Sequence, residues 1–271
     1  MAKTPTKDHI VSYLSSYDMK PIHRLGQNFL IDENIAALIV ANAAIGASDK
    51  VLEIGPGFGA LTHHLAPLGA ALDLYELDQK MCQFLIDHFG KDPHIAIHHQ
   101  DGLKADFGAY DVIVSNLPYY LTTPFIEKTY REGKNVKRAV YMIQKDVLPR
   151  LIAAPGSDGY GPLAVMLAYL GTVTPLIEVK PASFYPEPPV DSSIVKIEFH
   201  HNNDEGFAKK MDKLVRALFL SRRKTTLNNL ARYLQSKEKA AEVLQKAGIG
   251  LLKRPEQLSV AQFAILTEML R

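Results

Sequence analysis

The chain has 271 residues, 47% of them apolar and 22% charged, with 17 Gly and 16 Pro. That balance excludes extended disorder and collagen-like structure, and the length fits one large α/β domain, alone or with a small appendage. The net charge of +2 hides an asymmetry: residues 209–254 carry thirteen Lys/Arg against three acidic residues, a pattern that fits a polyanionic partner and, from charge alone, equally a solvated helical face.

The single Cys82 can close no internal disulfide and build no thiolate zinc site, which fits a reducing, cytoplasmic setting. The most apolar stretch, residues 36–45, is too short to cross a bilayer, and no secretory pattern opens the chain. Neither membrane nor export is therefore expected.

In chain order, residues 1–20 have weak periodicity and read as a partly mobile arm with room for one helix. Asp32 is an N-cap for a helix reaching Ile45. VLEIG (51–55) reads as a buried strand entering a glycine turn, with a helix from Ala60 to Leu68 behind it. Strands follow at 71–77, 94–99, 110–116 and 139–144, with helices at 79–89 and 124–131 between them. SSIVKIEF (192–199) is a late, half-buried strand. Strands alternating with helices predict an α/β fold, a mostly parallel sheet with helices on both faces. The polar run 200–206 marks the domain boundary, so residues 1–205 form one domain and residues 206–271 an all-helical second one.

Three features fall at consecutive strand ends, where such sheets bind ligands. Glu53-Ile-Gly55-Pro-Gly57-Phe-Gly59 ends the first strand, and its glycines let backbone approach a ligand closely. Glu76, 21 residues after Gly55, is placed to accept from both hydroxyls of a ribose, and Asp101, beside Gly102, from an adenine amino group. The glycine turn also satisfies a loose dinucleotide pattern. A pyrophosphate avoids nearby acids, however, so Glu53 and Pro56 favour a ligand with a cationic end, S-adenosylmethionine over NAD.

Ser115-Asn116-Leu117-Pro118-Tyr119 follows the fourth of these strands. Adenine's exocyclic amine is a weak nucleophile because its lone pair is delocalised into the ring. The Asn116 side-chain oxygen and the Leu117 carbonyl can accept its two N–H bonds together. Pro118 fixes the turn, and Tyr119 offers a flat face to an extracted base. An ordinary Asx turn with a proline stop is the alternative reading of the tetrapeptide alone.

Five blocks then resemble the ribosomal RNA adenine dimethyltransferase family in its bacterial small-subunit branch. They are HRLGQNFL (23–30), VLEIGPGFGALT (51–62), NLPY (116–119), ASFYP (182–186) running to Ser192, and FLSRRKTTLNNL (219–230). The resemblance implies a Rossmann-like class I methyltransferase domain with a small helical C-terminal domain and S-adenosylmethionine as donor. It also implies, as substrate, two adjacent adenosines near the 3′ end of 16S rRNA in an immature 30S particle. It places cofactor contacts on Asn28, Leu30, Gly55, Glu76, Asp101 and Asn116, with Gln27 and Gly57 near the methionine end. It makes Phe184 the ring that stacks on the target base opposite Tyr119. Tyr120-Leu121-Thr122 departs from the usual Asn-Ile-Ser, which bears on whether dimethylation is complete.

Arg222, Arg223 and Lys224 form the densest cationic cluster and read as phosphate contacts. The alternative is an internal carboxylate bridge. The paired histidines at 63/64, 98/99 and 200/201 lack helical metal-ligand spacing, so no metal is expected. A monomer is expected. A non-catalytic assembly factor, a large-subunit RNA methyltransferase and a DNA adenine methyltransferase are the competing readings.

Overall fold

The computed structural model describes residues 4–21, 27–200 and 204–271, so residues 23–26 of the first motif block, and His201, lie outside the described residues. Helix α1 (Lys7–Ser16) opens the chain, with the Thr6 hydroxyl accepting the His9 backbone N–H. Its Ile10 and Leu14 are buried, and Tyr13 and Tyr17 pack their rings 4.7 and 5.7 Å from Phe84. The expected arm is therefore, over its described residues, a capped helix anchored in the core. Apolar residues at 10, 13, 14 and 17 supply the one-sided spacing that anchors it.

The strand–helix alternation follows: β1 (Phe29–Leu30), α2 (Glu33–Ala43), β2 (Lys50–Ile54), α3 (Thr62–Leu65), β3 (Ala71–Glu76), α4 (Gln79–Phe89), β4 (Ile95–His99), β5 (Val112–Asn116), α5 (Thr122–Glu132) and β6 (Arg138–Gln144). Asp32 and Asp78 cap α2 and α4 by accepting two backbone N–H groups each. The helix expected over 60–68 closes after one turn, because Pro67 brings no N–H and the chain tightens into a 3₁₀ turn at Ala66–Leu68.

After α6 (Leu148–Ile152) come α7 (Pro162–Leu170), β7 (Gly171–Val179), β8 (Phe184–Tyr185) and β9 (Ser192–Phe199). Of these only β9 was expected from the sequence, and α7 and β7, the two longest of the others, were hidden for physical reasons. Helix α7 is apolar nearly all round and buried along most of its length, so it shows no polar face to betray a period. Strand β7 contains Pro175, which argues against a strand until its place is known. It lies at the sheet edge, where a missing N–H is tolerated.

The main sheet has seven strands in the order β4-β3-β2-β5-β6-β9-β7. The β4-β3-β2-β5-β6 neighbours are all parallel, and β9 runs antiparallel to β6. Chain order runs one way from β2 to β4 and the other way from β5 to β6. The carboxyl ends of β2 and β5 therefore flank the topological switch point, where such sheets open a ligand crevice. A second, two-stranded sheet pairs β1 antiparallel with β8, Leu30 opposite Phe184.

The chain divides into two compact units: Met1–Leu148 with Thr174–Phe199, and Pro149–Val173 with His200–Arg271. This is not the single cut after residue 205 that composition suggested, because the segment carrying α7 joins the helical unit. That unit also holds α8 (Glu205–Phe219), α9 (Thr226–Leu234), α10 (Lys237–Lys246) and α11 (Val260–Met269). Met211, Leu214, Val215 and Leu218 form the buried stripe of α8. Phe219 packs its ring 5.9 Å from Phe263 and 6.2 Å from Tyr160, whose hydroxyl donates to the Leu258 carbonyl at 2.9 Å.

Candidate active site

One cleft opens at the switch point, with about 1080 Å³ of space including its mouth, enough for a nucleoside-sized ligand. It is lined by Gln27, Asn28 and Leu30, by Glu53, Gly55 and Gly57, by Glu76, by Asp101 and Gly102, and by the turn Asn116–Tyr119. All ten expected cofactor positions thus meet in one space, together with four of the five expected catalytic ones. The cleft also takes in Pro5 just before α1, Ile10 from α1, Met81 from α4 and Phe125 from α5. These four carry no chemical signature, and only folding brings them together.

Gly55 has a φ of +64°, and a side chain there would begin with no atom within 4 Å, so the backbone is bare toward the cleft. At Gly102 the opposite holds: a Cβ would sit 2.7 Å from Ile54 Cγ2 and 3.3 Å from Phe125 Cε1. Only glycine fits between those two walls.

Glu53 is 1% exposed, and its Oε2 accepts from the Thr62 hydroxyl at 2.7 Å. Burial pushes its pKa up to about 8, with the Thr62 bond opposing and the nearby Glu76 charge adding. Glu76 is buried too. Its Oε1 accepts the Leu77 and Asp78 N–H groups at 2.8 and 2.9 Å, and its Oε2 accepts the Gly57 N–H at 3.1 Å. Burial raises its pKa against those three bonds. A carboxylate offers about four acceptor sites, so about one is left, on Oε2. That suits one ribose hydroxyl rather than the two expected. Asp101 uses Oδ1 to cap the turn Gly102–Lys104 through the Leu103 N–H at 2.9 Å, and its Oδ2 has no partner among the described residues.

Asn116 ends β5 at the floor of the cleft, and its Nδ2 donates to the Asn28 carbonyl at 3.3 Å. A carbonyl can only accept, so this bond fixes the amide with Oδ1 as its remaining acceptor. The Leu117 N–H donates to the Met142 carbonyl at 3.1 Å, and the Leu117 carbonyl accepts nothing among the described residues. Tyr119 is half-buried, its hydroxyl 3.0 Å from Ser192 Oγ, and burial raises its pKa. Gln27 reaches Asp78 Oδ2 at 3.5 Å. Ser115 is structural, donating to the Ile54 carbonyl at 2.6 Å and tying β5 to β2.

Phe184 is placed otherwise than expected. It is 2% exposed, belongs to the main hydrophobic core and does not line the cleft. Strand pairing sets it directly opposite Leu30, which lines the cleft, so the two side chains share one face of that small sheet, with Phe184 covered by core residues. Phe184→Ala is expected to lower stability by about 3–5 kcal/mol, read as a fall in the denaturant midpoint. A variant that melts like wild type yet loses transfer would restore the stacking role.

In the helical unit, Arg223 and Lys224 are exposed, and Arg222 gives one Nη2 bond to the Tyr160 carbonyl at 2.8 Å. None of the three pairs with a carboxylate among the described residues. Asn229 is buried, donating to the Ser221 carbonyl at 3.1 Å and accepting from Arg232 at 2.9 Å, so it closes this loop. Cys82 is buried with its thiol pushed up to about 11 by burial, which marks packing rather than reactivity. Among the described residues no group of three His, Cys, Asp or Glu could hold a metal ion, and no helix is long and apolar enough to cross a membrane.

The profile of the ribosomal RNA adenine dimethylase family matches residues 20–271. The ribosomal RNA small subunit methyltransferase A of Bacillus pumilus is 38% identical over 95% of this chain and 94% of its own length. Among solved structures, a dimethyladenosine transferase from Plasmodium falciparum superposes with a TM-score of 0.76 at 28% identity, covering 88% of this chain and 95% of that one. The 23S rRNA methyltransferase ErmE, at 24% identity and a TM-score of 0.67 over 90% of this chain and 99% of its own, shares the fold. Cleft, sheet order and matches over nearly the whole length agree, and the chain belongs to the ribosomal RNA adenine dimethylase family, a family of S-adenosylmethionine-dependent methyltransferases.

Proposed function

We propose that this chain methylates the N6 amines of two adjacent adenosines near the 3′ end of 16S rRNA, to N6,N6-dimethyladenosine, acting as a monomer on an immature 30S particle in the cytoplasm. The observation that carries the reading is the Asn116 amide, turned by the Asn28 carbonyl so that Oδ1 and the carbonyl of the next residue, Leu117, remain as acceptors among the described residues. Two such acceptors suit an amine with two N–H bonds.

The cleft fits S-adenosylmethionine. Glu53 is a buried carboxyl with no cationic partner among the described residues, suited to an ammonium. Glu76 Oε2 suits a ribose hydroxyl and Asp101 Oδ2 an adenine amine, and the bare backbone at Gly55 allows close approach. Gln27, Asn28, Leu30, Gly57 and Gly102 complete the walls. When bound, the donor supplies a methyl group already activated on a sulfonium, so the chain needs no tuned general acid. Asn116 and Leu117 hold the target amine and help its nitrogen toward tetrahedral geometry, while the Tyr119 ring supports the base. Neither the fit nor the chemistry calls for a metal.

The test is incubation with labelled S-adenosylmethionine and 30S particles lacking the modification, followed by nucleoside analysis. Labelled N6,N6-dimethyladenosine is expected, and its absence with active particles would overturn the reading. The helical unit is assigned to phosphate contact through Arg222, Arg223 and Lys224. Replacing all three by Glu is expected to weaken particle binding and to flatten the plot of log affinity against log salt, its slope falling by about one for each phosphate no longer neutralised. An unchanged salt slope would remove these residues from the interface.

A further inference from the structure

We propose that Ser192 is a positioning residue for the reaction, holding the Tyr119 ring across the carboxyl edge of the sheet. The inference rests on the methyltransferase reading above. Tyr119 follows β5, whereas Ser192 opens β9, and β6 lies between those two strands. The 3.0 Å bond between the Tyr119 hydroxyl and Ser192 Oγ therefore reaches over the end of β6. Each hydroxyl is the other's only side-chain partner among the described residues, and Ser192 is fully buried.

The anchor is rigid. Ser192 pairs with Gln144 at the start of the β6·β9 ladder. The preceding Asp191 accepts the Lys145 backbone N–H at 3.0 Å through its carbonyl, and its carboxylate pairs with Lys180 at 2.6 Å and Lys145 at 3.8 Å. The other end of the ring's support is the Asn116–Pro118 turn, whose Leu117 N–H is tied to β6 at Met142. Tyr119 is thus held at its backbone by β5 and β6 and at its hydroxyl by β9. Among the described residues no ring packs against Tyr119, and the Ser192 bond sets its angle to an incoming base.

The test is a double-variant cycle on the full-length protein with modification-deficient 30S particles. Ser192→Ala and Tyr119→Phe each delete the same bond, and each is expected to lower kcat by about 10- to 100-fold, with the donor KM within about twofold of wild type. The double variant is expected to fall no further than the worse single, since the bond can be broken only once. Losses that multiply in the double variant, a wild-type kcat in either single, or an effect confined to donor KM and melting temperature would each overturn the proposal. Should Ser192→Ala fail to fold, Tyr119→Phe leaves the strand untouched and decides the matter through its kcat-against-KM split. Wild-type protein in the same assay separates this failure from failure of the functional reading: inactive wild type overturns the reading, whereas active wild type with additive variants overturns only the Ser192 role.

Discussion

Asn116→Ala is expected to slow methyl transfer by about 10²–10³-fold while leaving the fold intact. The side chain ends a central strand whose residues Val112, Ile113 and Val114 are wholly buried, so the backbone position survives truncation. What disappears is one of two acceptors for the target amine. Loss of a single preorganised hydrogen-bonding group at a reacting centre costs about 10²–10³ in kcat. The bond to the Asn28 carbonyl in the cleft wall is also lost. Single-turnover kinetics with labelled donor measure the first effect, and calorimetric titration of S-adenosylhomocysteine measures the second, expected to be far smaller. Transfer at the wild-type rate would remove Asn116 from the mechanism. Asn116→Asp separates acceptor from donor: an acceptor oxygen remains, but the bond to the Asn28 carbonyl cannot form.

Glu53→Gln is expected to stabilise the cofactor-free protein and to weaken donor binding at the same time. The folded-state pKa of Glu53 is about 8 against a reference of 4.5. The folded protein therefore binds this proton more tightly than the unfolded chain. Its contribution to stability is full below about pH 4.5 and is lost as pH rises from there through about 8. Each tenfold in proton affinity corresponds to about 1.4 kcal/mol, so the carboxyl costs the free protein a few kcal/mol at pH 8. Gln keeps the shape and the Thr62 bond without the charge. The variant should melt several degrees higher at pH 8 and show little gain at pH 5. Donor binding should respond in the opposite sense, because an ammonium favours the ionised carboxyl. Wild-type affinity should rise between about pH 5.5 and 6.5, where an α-amino group of ordinary pKa, about 7.7–8.0, keeps its proton. The variant should stay flat over the same interval. A wild-type affinity independent of pH there would show that Glu53 does not meet the cation.

Much of this was legible in the residues themselves. The strand ends carrying Glu53–Gly59, Glu76, Asp101 and Asn116–Tyr119 announce themselves because their chemistry is local: glycines, acids and a proline turn placed just after apolar runs. The caps at Asp32 and Asp78 are local for the same reason. Helix α1 was visible only as weak spacing, since its moderate apolar content gains meaning from the Phe58 and Phe84 rings it meets. Helix α7 and strand β7 were invisible because burial on all sides and an edge proline each erase the expected pattern.

Residue order alone settles the type and sequence of the elements, the ligand-bearing turns and the family to which the chain belongs, since each depends on neighbours a few positions away. Long-range packing settles the rest. It turns the Asn116 amide through a carbonyl 88 residues distant, uses up three acceptor sites of Glu76 and ties Tyr119 to Ser192. It also buries Phe184 among core residues opposite Leu30, because apolar burial outweighs exposure of an aromatic ring to water. Hydrogen bonds and apolar contacts between remote segments depend on where the sheet brings them together, and no local pattern carries that information.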